Sequence, residues 1–505
     1  MRSGINRRDI LKLAGVLPLS LAAPRWTRSL SGAPGQQNVI VVVFDAFSAY
    51  NISLYGYQRQ TTPNLARLAQ RAIVYHNHFA GSNFTTSGTA SLLTGTLPWT
   101  NRAIEDDGLV AQALQPHNIF NLFQGYYRTA FSHNSWVVTL LQQFGDFIEE
   151  IVPREKLYLG SYDAALHNLF SRDDDTATVG WTRYMKTEDG YSYSLFLSGL
   201  YKLLHDRQIS SYNSLFPLGL PINGSKDAFV LEQAVDWLKA HLRAIPQPFF
   251  GYFHFLPPHA PYRTSLEYYR HFAHDGIQSI LKPVDVFADK GAGNDFLQER
   301  TQYDEFILYA DKAFGDLFAS LEASGQLDHT WLIFTSDHGE MFERGFVGHG
   351  NPTLYQPVIR VPLLIFEPGR KTGMDIRVPT SAADILPTLA HLIGRPVPEW
   401  TEGVVLPPFA ETGAGAQRSV YSVTARKNGP DSPIRRATTM LVRDRYKLIY
   451  SFGYKDLHIK DHVQLYDIQA DPEELVDLSL SQKDVAAEML AGLKSRIKEV
   501  NIPYQ

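Results

Sequence analysis

Cysteine is absent from all 505 residues. That removes disulfides, thiolate metal sites, cysteine nucleophiles and a lipid-modified cysteine from consideration. A strong excess of one charge is also absent. The formal net charge is −5 and no dense basic run appears, so nothing points to a nucleic-acid partner. Long hydrophobic runs are missing as well. No stretch approaches the roughly 18 consecutive apolar residues that a membrane-spanning helix needs. There are no internal repeats. Aromatics are plentiful, with 26 Tyr and 29 Phe, in a chain long enough to bury a large core.

The N-terminal segment has its own character. Asn6-Arg7-Arg8-Asp9-Ile10-Leu11-Lys12 pairs two arginines with an apolar pattern, and Leu13 to Ala23 follows as a short stretch of small and aliphatic residues. Residues 1–30 read as a twin-arginine export signal and 31–37 as a linker. The expectation is export through the twin-arginine machinery to the periplasm, the cell surface or the medium, with the signal either cleaved or kept as an anchor.

Several short apolar runs then read as strands buried on both faces, the mark of a parallel sheet covered by helices. They are Val39 to Phe44, Phe249 to Phe255, Trp331 to Phe334 and Val361 to Phe366. Between them lie helical patterns. Thr62-Pro63 starts one with the usual N-terminal chemistry, Phe229 to Leu242 is spaced as another, and Tyr303 to Leu321 is amphipathic. Alternating strands and helices predict a doubly wound α/β fold with a mostly parallel central sheet flanked by helices. Residues 38–398 would form this catalytic domain, with 105–245 as specificity insertions. Tyr191 to Leu204 reads as a core-packing helix. From 399 to 505, short alternating stretches such as Tyr446-Lys447-Leu448-Ile449-Tyr450 predict a small antiparallel subdomain closed by a helix over about 483–499.

Two aspartates end strands. Asp45 follows Val39 to Phe44, and Asp337 follows Trp331 to Phe334 across Thr335-Ser336 and precedes His338-Gly339-Glu340. Ligands in such sheets bind at the carboxyl ends of the strands. Two strand-end carboxylates with a histidine make a metal site the first hypothesis, set against the ordinary use of Asp as a turn former. Further polar segments hang off other strand ends and loops: Ser82-Asn83-Phe84-Thr85-Thr86-Ser87-Gly88-Thr89, His254 with His259, and His349. Hydroxyls, carboxylates and imidazoles suit one divalent ion, Zn²⁺ or Mn²⁺ first and Ca²⁺ as the alternative. A threonine hydroxyl near such an ion becomes a usable nucleophile, and imidazoles can bind anionic oxygens and move protons.

An ordered series of motifs carries a resemblance. Asp45 is followed by Tyr55-Gly56-Tyr57, Thr61-Thr62-Pro63-Asn64-Leu65 and Leu92-Leu93-Thr94-Gly95. Then come His254 and His259-Ala260-Pro261-Tyr262, Ser336-Asp337-His338-Gly339-Glu340, Leu354-Tyr355-Gln356 with Arg360-Val361-Pro362, and Asp384-Ile385-Leu386-Pro387-Thr388. Leu465-Tyr466-Asp467 and Ala470-Asp471-Pro472 close the series. The chain resembles the sulfatase family of the alkaline phosphatase superfamily over roughly residues 38–480. The resemblance implies that fold, a metal ion and ester cleavage. The residue that sulfatases oxidise to formylglycine, Cys or Ser, falls at Thr85, which cannot form that aldehyde. The signature arginine falls at Thr89, the usual lysine is replaced near Asn351, and a second early Asp is Ala46. What remains resembles the threonine-nucleophile branch, with lipoteichoic-acid synthase and phosphoethanolamine transferases. That likeness implies Asp45, Thr85, Asp337 and His338 as metal ligands and Thr85 as nucleophile, with Thr86 as its rival. It implies His254, His259 and His349 on the transferred group and the leaving oxygen. Thr86, Asn134 and Asn351 are expected on the substrate, a small-molecule or lipid- or glycan-linked anionic ester. Glu340 and Arg360 read as structural. The expected reaction is on phosphate esters. The alternatives are an arylsulfatase-type sulfuric ester hydrolase and an exported binding protein without turnover.

Overall fold

The computed structural model describes residues 37–159 and 203–504, apart from 205, 224–226, 279, 290–291, 294 and 411–417. The export segment and the expected helix at Tyr191 to Leu204, but for its last two residues, lie outside these.

Eight strands make the central sheet: β1 Asn38–Phe44, β2 Ile73–Tyr75, β3 Tyr127–Ser132, β4 Glu150–Ile151, β5 Phe249–Phe255, β6 Thr330–Thr335, β7 Leu363–Phe366 and β8 Met374–Ile376. Their order is β8-β2-β7-β6-β1-β5-β3-β4. Only β7 opposes the rest, pairing antiparallel with both β6 and β2. β1 sits in the middle, and all seven of its residues are buried. Alternate side chains go to opposite faces, as strand geometry requires. Ile40, Val42 and Phe44 join one core and Val39, Val41 and Val43 the other. The first core is covered by the helices Pro63–Leu68, Leu231–Ala244 and Leu297–Ala323. The second is covered by α1 (Thr85–Thr94), α2 (Ser135–Gln143) and α3 (Ile385–Leu392).

The stretch 105–245 does more than was expected of it. Its β3 and β4 form one edge of the central sheet, and its helices cover both faces. The expected helix cap at Thr62 also differs. Pro63 is the first helical residue, but the Thr62 side chain makes no cap. The Asp311 carboxylate, on the long helix, instead accepts from the Asn64 and Leu65 amides at 2.8 Å each.

Beyond the sheet, Ser419–Thr424, Ala437–Arg443, Tyr446–Phe452 and His462–Asp467 form a four-stranded antiparallel sheet. One face packs on the last helix, Lys483–Asn501, through Leu441, Leu448, Met489 and Leu493. The other face buries Val420, Met440 and Ile449 against Leu354, Val358 and Ile359 of the α/β domain. No helix among the described residues is long and apolar enough to cross a membrane.

Candidate active site

Register brings the site together. Val43 lies opposite both His254 and Thr335, and His254 lies opposite Ser132. Asp45, Asp337 and Asn134, each two residues beyond one of these positions, therefore emerge at one edge of the sheet. Asp45, His254 and Asp337 share parity with Val43, Tyr252 and Ile333, which face the second core. That is the face on which α1 packs, so its first residue, Thr85, meets them.

Asp45, His254, Asp337 and His338 are fully buried and Thr85 nearly so. His338 Nε2 lies 3.4 Å from Asp45 Oδ1, 3.5 Å from Asp337 Oδ2 and 3.2 Å from Thr85 Oγ1. His254 Nε2 lies 3.4 Å from Asp45 Oδ2 and 3.8 Å from Asp337 Oδ2. Second partners fix these rings. His338 Nδ1 donates to the Gly339 carbonyl at 2.8 Å, which turns Nε2 toward Thr85 and the two carboxylates. The Tyr252 hydroxyl pairs with His254 Nδ1 at 3.0 Å. Asn134 Nδ2 donates to Asp45 Oδ2 at 2.6 Å and reaches Thr85 Oγ1 at 3.5 Å.

The backbone is shaped to the same end. Ala46 adopts a left-handed φ of 59°, uncommon for a residue with a Cβ. Its amide donates to Asp337 Oδ1 at 3.3 Å, and its carbonyl accepts from the Tyr303 hydroxyl at 2.6 Å. Gly88, in the first turn of α1, lies against the Asp337 carbonyl so closely that a Cβ would overlap it.

The donor set fits a divalent cation. Asp45, Asp337 and His338 each offer an atom, and the three atoms lie within 4.8 Å of one another. Asp45 Oδ1, Asp337 Oδ2 and His254 Nε2 are buried without a hydrogen-bond partner, which is costly unless something else binds them. The charges agree. Burial opposes ionisation of Asp45, yet His259, His254 and His338 hold its carboxyl well below the usual range. Burial and the Asp45 charge push the Asp337 carboxyl up. Against burial, the Asp337 and Asp45 carboxylates raise the His338 imidazole to about 9. Two carboxylates facing one point resist joint ionisation unless a cation lies between them.

His259 and His349 line the outer side. Their rings lie 4.8 Å apart, and His349 lies 4.3 Å from His338. His349 Nδ1 pairs with buried Glu340 at 2.8 Å, a partner that sequence reading took as structural. Asn83 ties this loop to the start of α1. It donates to the Asn351 and Thr353 carbonyls at 2.6 and 2.8 Å, and its own carbonyl accepts from the Gly350 amide. Asn351 is thus held to the site's edge through its backbone. Thr86 donates its hydroxyl to the Asp106 carbonyl. Arg360 donates to the His76 carbonyl at 3.0 Å, in a structural setting.

The profile of the sulfatase family matches residues 37–395. The chain belongs to the sulfatase family. A second profile, the C-terminal region of N-sulphoglucosamine sulphohydrolase, matches residues 346–502. Choline-sulfatase of Rhizobium meliloti is 26% identical over 467 residues, covering 88% of this chain and 83% of its own. Arylsulfatase K of Bos taurus is 26% identical over 299 residues, 53% of this chain and 54% of its own. Among solved folds, phosphonate monoester hydrolase of Agrobacterium radiobacter superposes with a TM-score of 0.64 at 20% identity, covering 93% of this chain and 96% of its own. A protein solved with its substrate D-glucosamine-2-N,6-O-disulfate does so at 0.63 and 17% identity, covering 93% and 99%. The protein is thus a sulfatase-family hydrolase whose Asp45, Asp337 and His338 could together hold a metal ion.

Proposed function

We propose that this protein cleaves or transfers anionic esters, phosphate esters first, with Thr85 as nucleophile and no formylglycine. One observation carries the reading. Thr85 stands at the N-terminus of α1 with its oxygen 3.2 Å from His338 Nε2, beside the unpartnered oxygens of Asp45 and Asp337. A divalent ion, Zn²⁺ or Mn²⁺ with Ca²⁺ as the alternative, held by Asp45, Asp337, His338 and Thr85, would lower the proton affinity of that hydroxyl. Thr85 Oγ, its proton released to solvent, attacks phosphorus or sulfur in line, and an ester bond to Thr85 forms as the bond to the leaving oxygen breaks. His259 or His349 hands that oxygen a proton, and His254 faces the group being transferred. The positive end of the α1 dipole favours the negative charge gathering there. Water or an alcohol then releases the group from Thr85. A hydroxyl turned to the Asp106 carbonyl makes Thr86 the poorer nucleophile, and Asn134 and Asn351 are proposed on the substrate side.

The substrate is proposed as a small-molecule or a lipid- or glycan-linked ester. A sulfuric ester is the second reading, favoured by the likeness to choline-sulfatase. Export by the twin-arginine route is part of the proposal, and cell fractionation with a Lys substitution of both Arg7 and Arg8 tests it. The central test is turnover of aryl phosphates, phosphodiesters, phosphonates and aryl sulfates by metal-loaded protein. Thr85→Ala and Asp337→Asn should each lose on the order of 10³-fold or more. Intact mass spectrometry should show bound metal and, after substrate, a group on Thr85. Turnover by Thr85→Ala equal to wild type would end the nucleophile reading. Absence of any turnover, with metal bound, would favour a binding protein.

A further inference from the structure

The groups that meet at the site are carboxylates, imidazoles, hydroxyls and an amide, and none of the residues in contact with Thr85, Asp45 or Asp337 described above is a lysine or arginine. A fixed positive charge does stand against residues that flank the site in sequence, and it comes from the C-terminal subdomain. The Arg426 guanidinium lies 4.1 Å over the ring of Phe84, the residue directly before Thr85. It also rests on Gly350, directly after His349. A Cβ on Gly350 would come within 2.9 Å of Arg426 Nη2 and 3.4 Å of Nη1, so glycine there leaves the guanidinium its seat. Nη2 pairs with Asp106, whose carbonyl takes the Thr86 hydroxyl. Nε is buried with no hydrogen-bond partner. The side chain keeps 33% of its surface open. Arg426 is therefore wedged between the segment that carries the proposed nucleophile and the segment that carries His349, with part of its side chain still open.

We infer that Arg426 binds the anionic group of the substrate and sets affinity for it, as the site's permanent cation. Guanidinium presents a fork of donors suited to tetrahedral oxyanions, and its charge, unlike that of an imidazole, persists at every working pH. The inference rests on the Thr85 site being the reaction centre, and it deepens that reading by giving the C-terminal subdomain a part in recognition. Asp106 holds the guanidinium in place and tempers its charge.

The test uses full-length, metal-loaded protein with inorganic phosphate and sulfate as probes, read by titration calorimetry, beside steady-state kinetics. Arg426→Ala should weaken oxyanion binding about tenfold or more and raise KM while kcat stays within a few-fold. Arg426→Lys should recover part of the loss. Asp106→Asn should bind the oxyanions as well as wild type or better. Melting temperatures without oxyanion should change little in Arg426→Ala. Unchanged oxyanion binding in Arg426→Ala, or no oxyanion binding by wild type, would overturn the inference. So would equal losses in Arg426→Ala and Asp106→Asn accompanied by a fall in melting temperature, since that pattern belongs to a purely structural ion pair. Failure of the nucleophile reading would appear separately, as full turnover in Thr85→Ala.

Discussion

Asn134 touches both halves of the site with one nitrogen, donating to Asp45 at 2.6 Å and reaching Thr85 at 3.5 Å. A group that orients a metal ligand is worth 10–100-fold in affinity or activity. Asn134→Ala should therefore loosen the metal by about 10–100-fold in a chelator competition assay and lower turnover in parallel. Unchanged metal affinity would make the contact incidental. Thr86→Ala should keep turnover within a few-fold, because that hydroxyl serves the Asp106 carbonyl. A loss as deep as that of Thr85→Ala would reverse the assignment. At this scale the sequence was uneven. The grouping of Asp45, Asp337 and His338 was legible because Asp45 closes a fully apolar run and Asp337-His338 follows another across only Thr335-Ser336. The support that Tyr252 gives His254 was not legible, because an aromatic within a strand reads as packing until its partners are seen. The pairing of Glu340 with His349 was hidden for the same reason.

Helix α1 shows how an element can be constrained by what it approaches. Glycine in a helix costs roughly 0.5–1 kcal/mol against alanine, so Gly88→Ala would stabilise an open helix. Here the added carbon would overlap the Asp337 carbonyl, and overpacking costs typically 1–3 kcal/mol. The obstacle is backbone, so the second effect should win. Gly88→Ala should lower the melting temperature and weaken metal binding, and a higher melting temperature would show that the helix can shift away freely. Element boundaries were partly legible. The strand Phe249–Phe255 and the last helix lie where apolar patterning put them. The reversed direction of β7 was not, since Leu363–Phe366 is as apolar as the parallel strands of the same sheet. Nor was the Asp311 cap, which comes from a helix far along the chain and displaces the local cap at Thr62.

Across the whole molecule, buried neutral histidines tie stability to pH. His133 is stacked on Phe229 at 4.1 Å, and burial lowers its imidazole to about 3; burial does the same to His78. The unfolded chain, with ordinary values near 6.5, takes up these protons first as pH falls. Stability is thus held above pH 6.5 and lost between about 6.5 and 3, at up to about 1.4 kcal/mol per pH unit for each group. His133→Phe should flatten the fall in melting temperature between pH 6.5 and 5, and an unchanged slope would mean that another group governs it. The doubly wound architecture was legible from the doubly buried strands. The place of β3 and β4 at its edge was not, because Tyr127–Ser132 mixes polar and apolar residues. A last consequence follows from β1 and β6 lying side by side. The two acids of the cradle come from opposite halves of the chain, so the pair faces one point only once those strands are neighbours, and a bound ion would favour the folded chain. Protein stripped by a chelator should keep its far-ultraviolet circular dichroism, melt at a lower temperature and take up a divalent ion again without passing through denaturant.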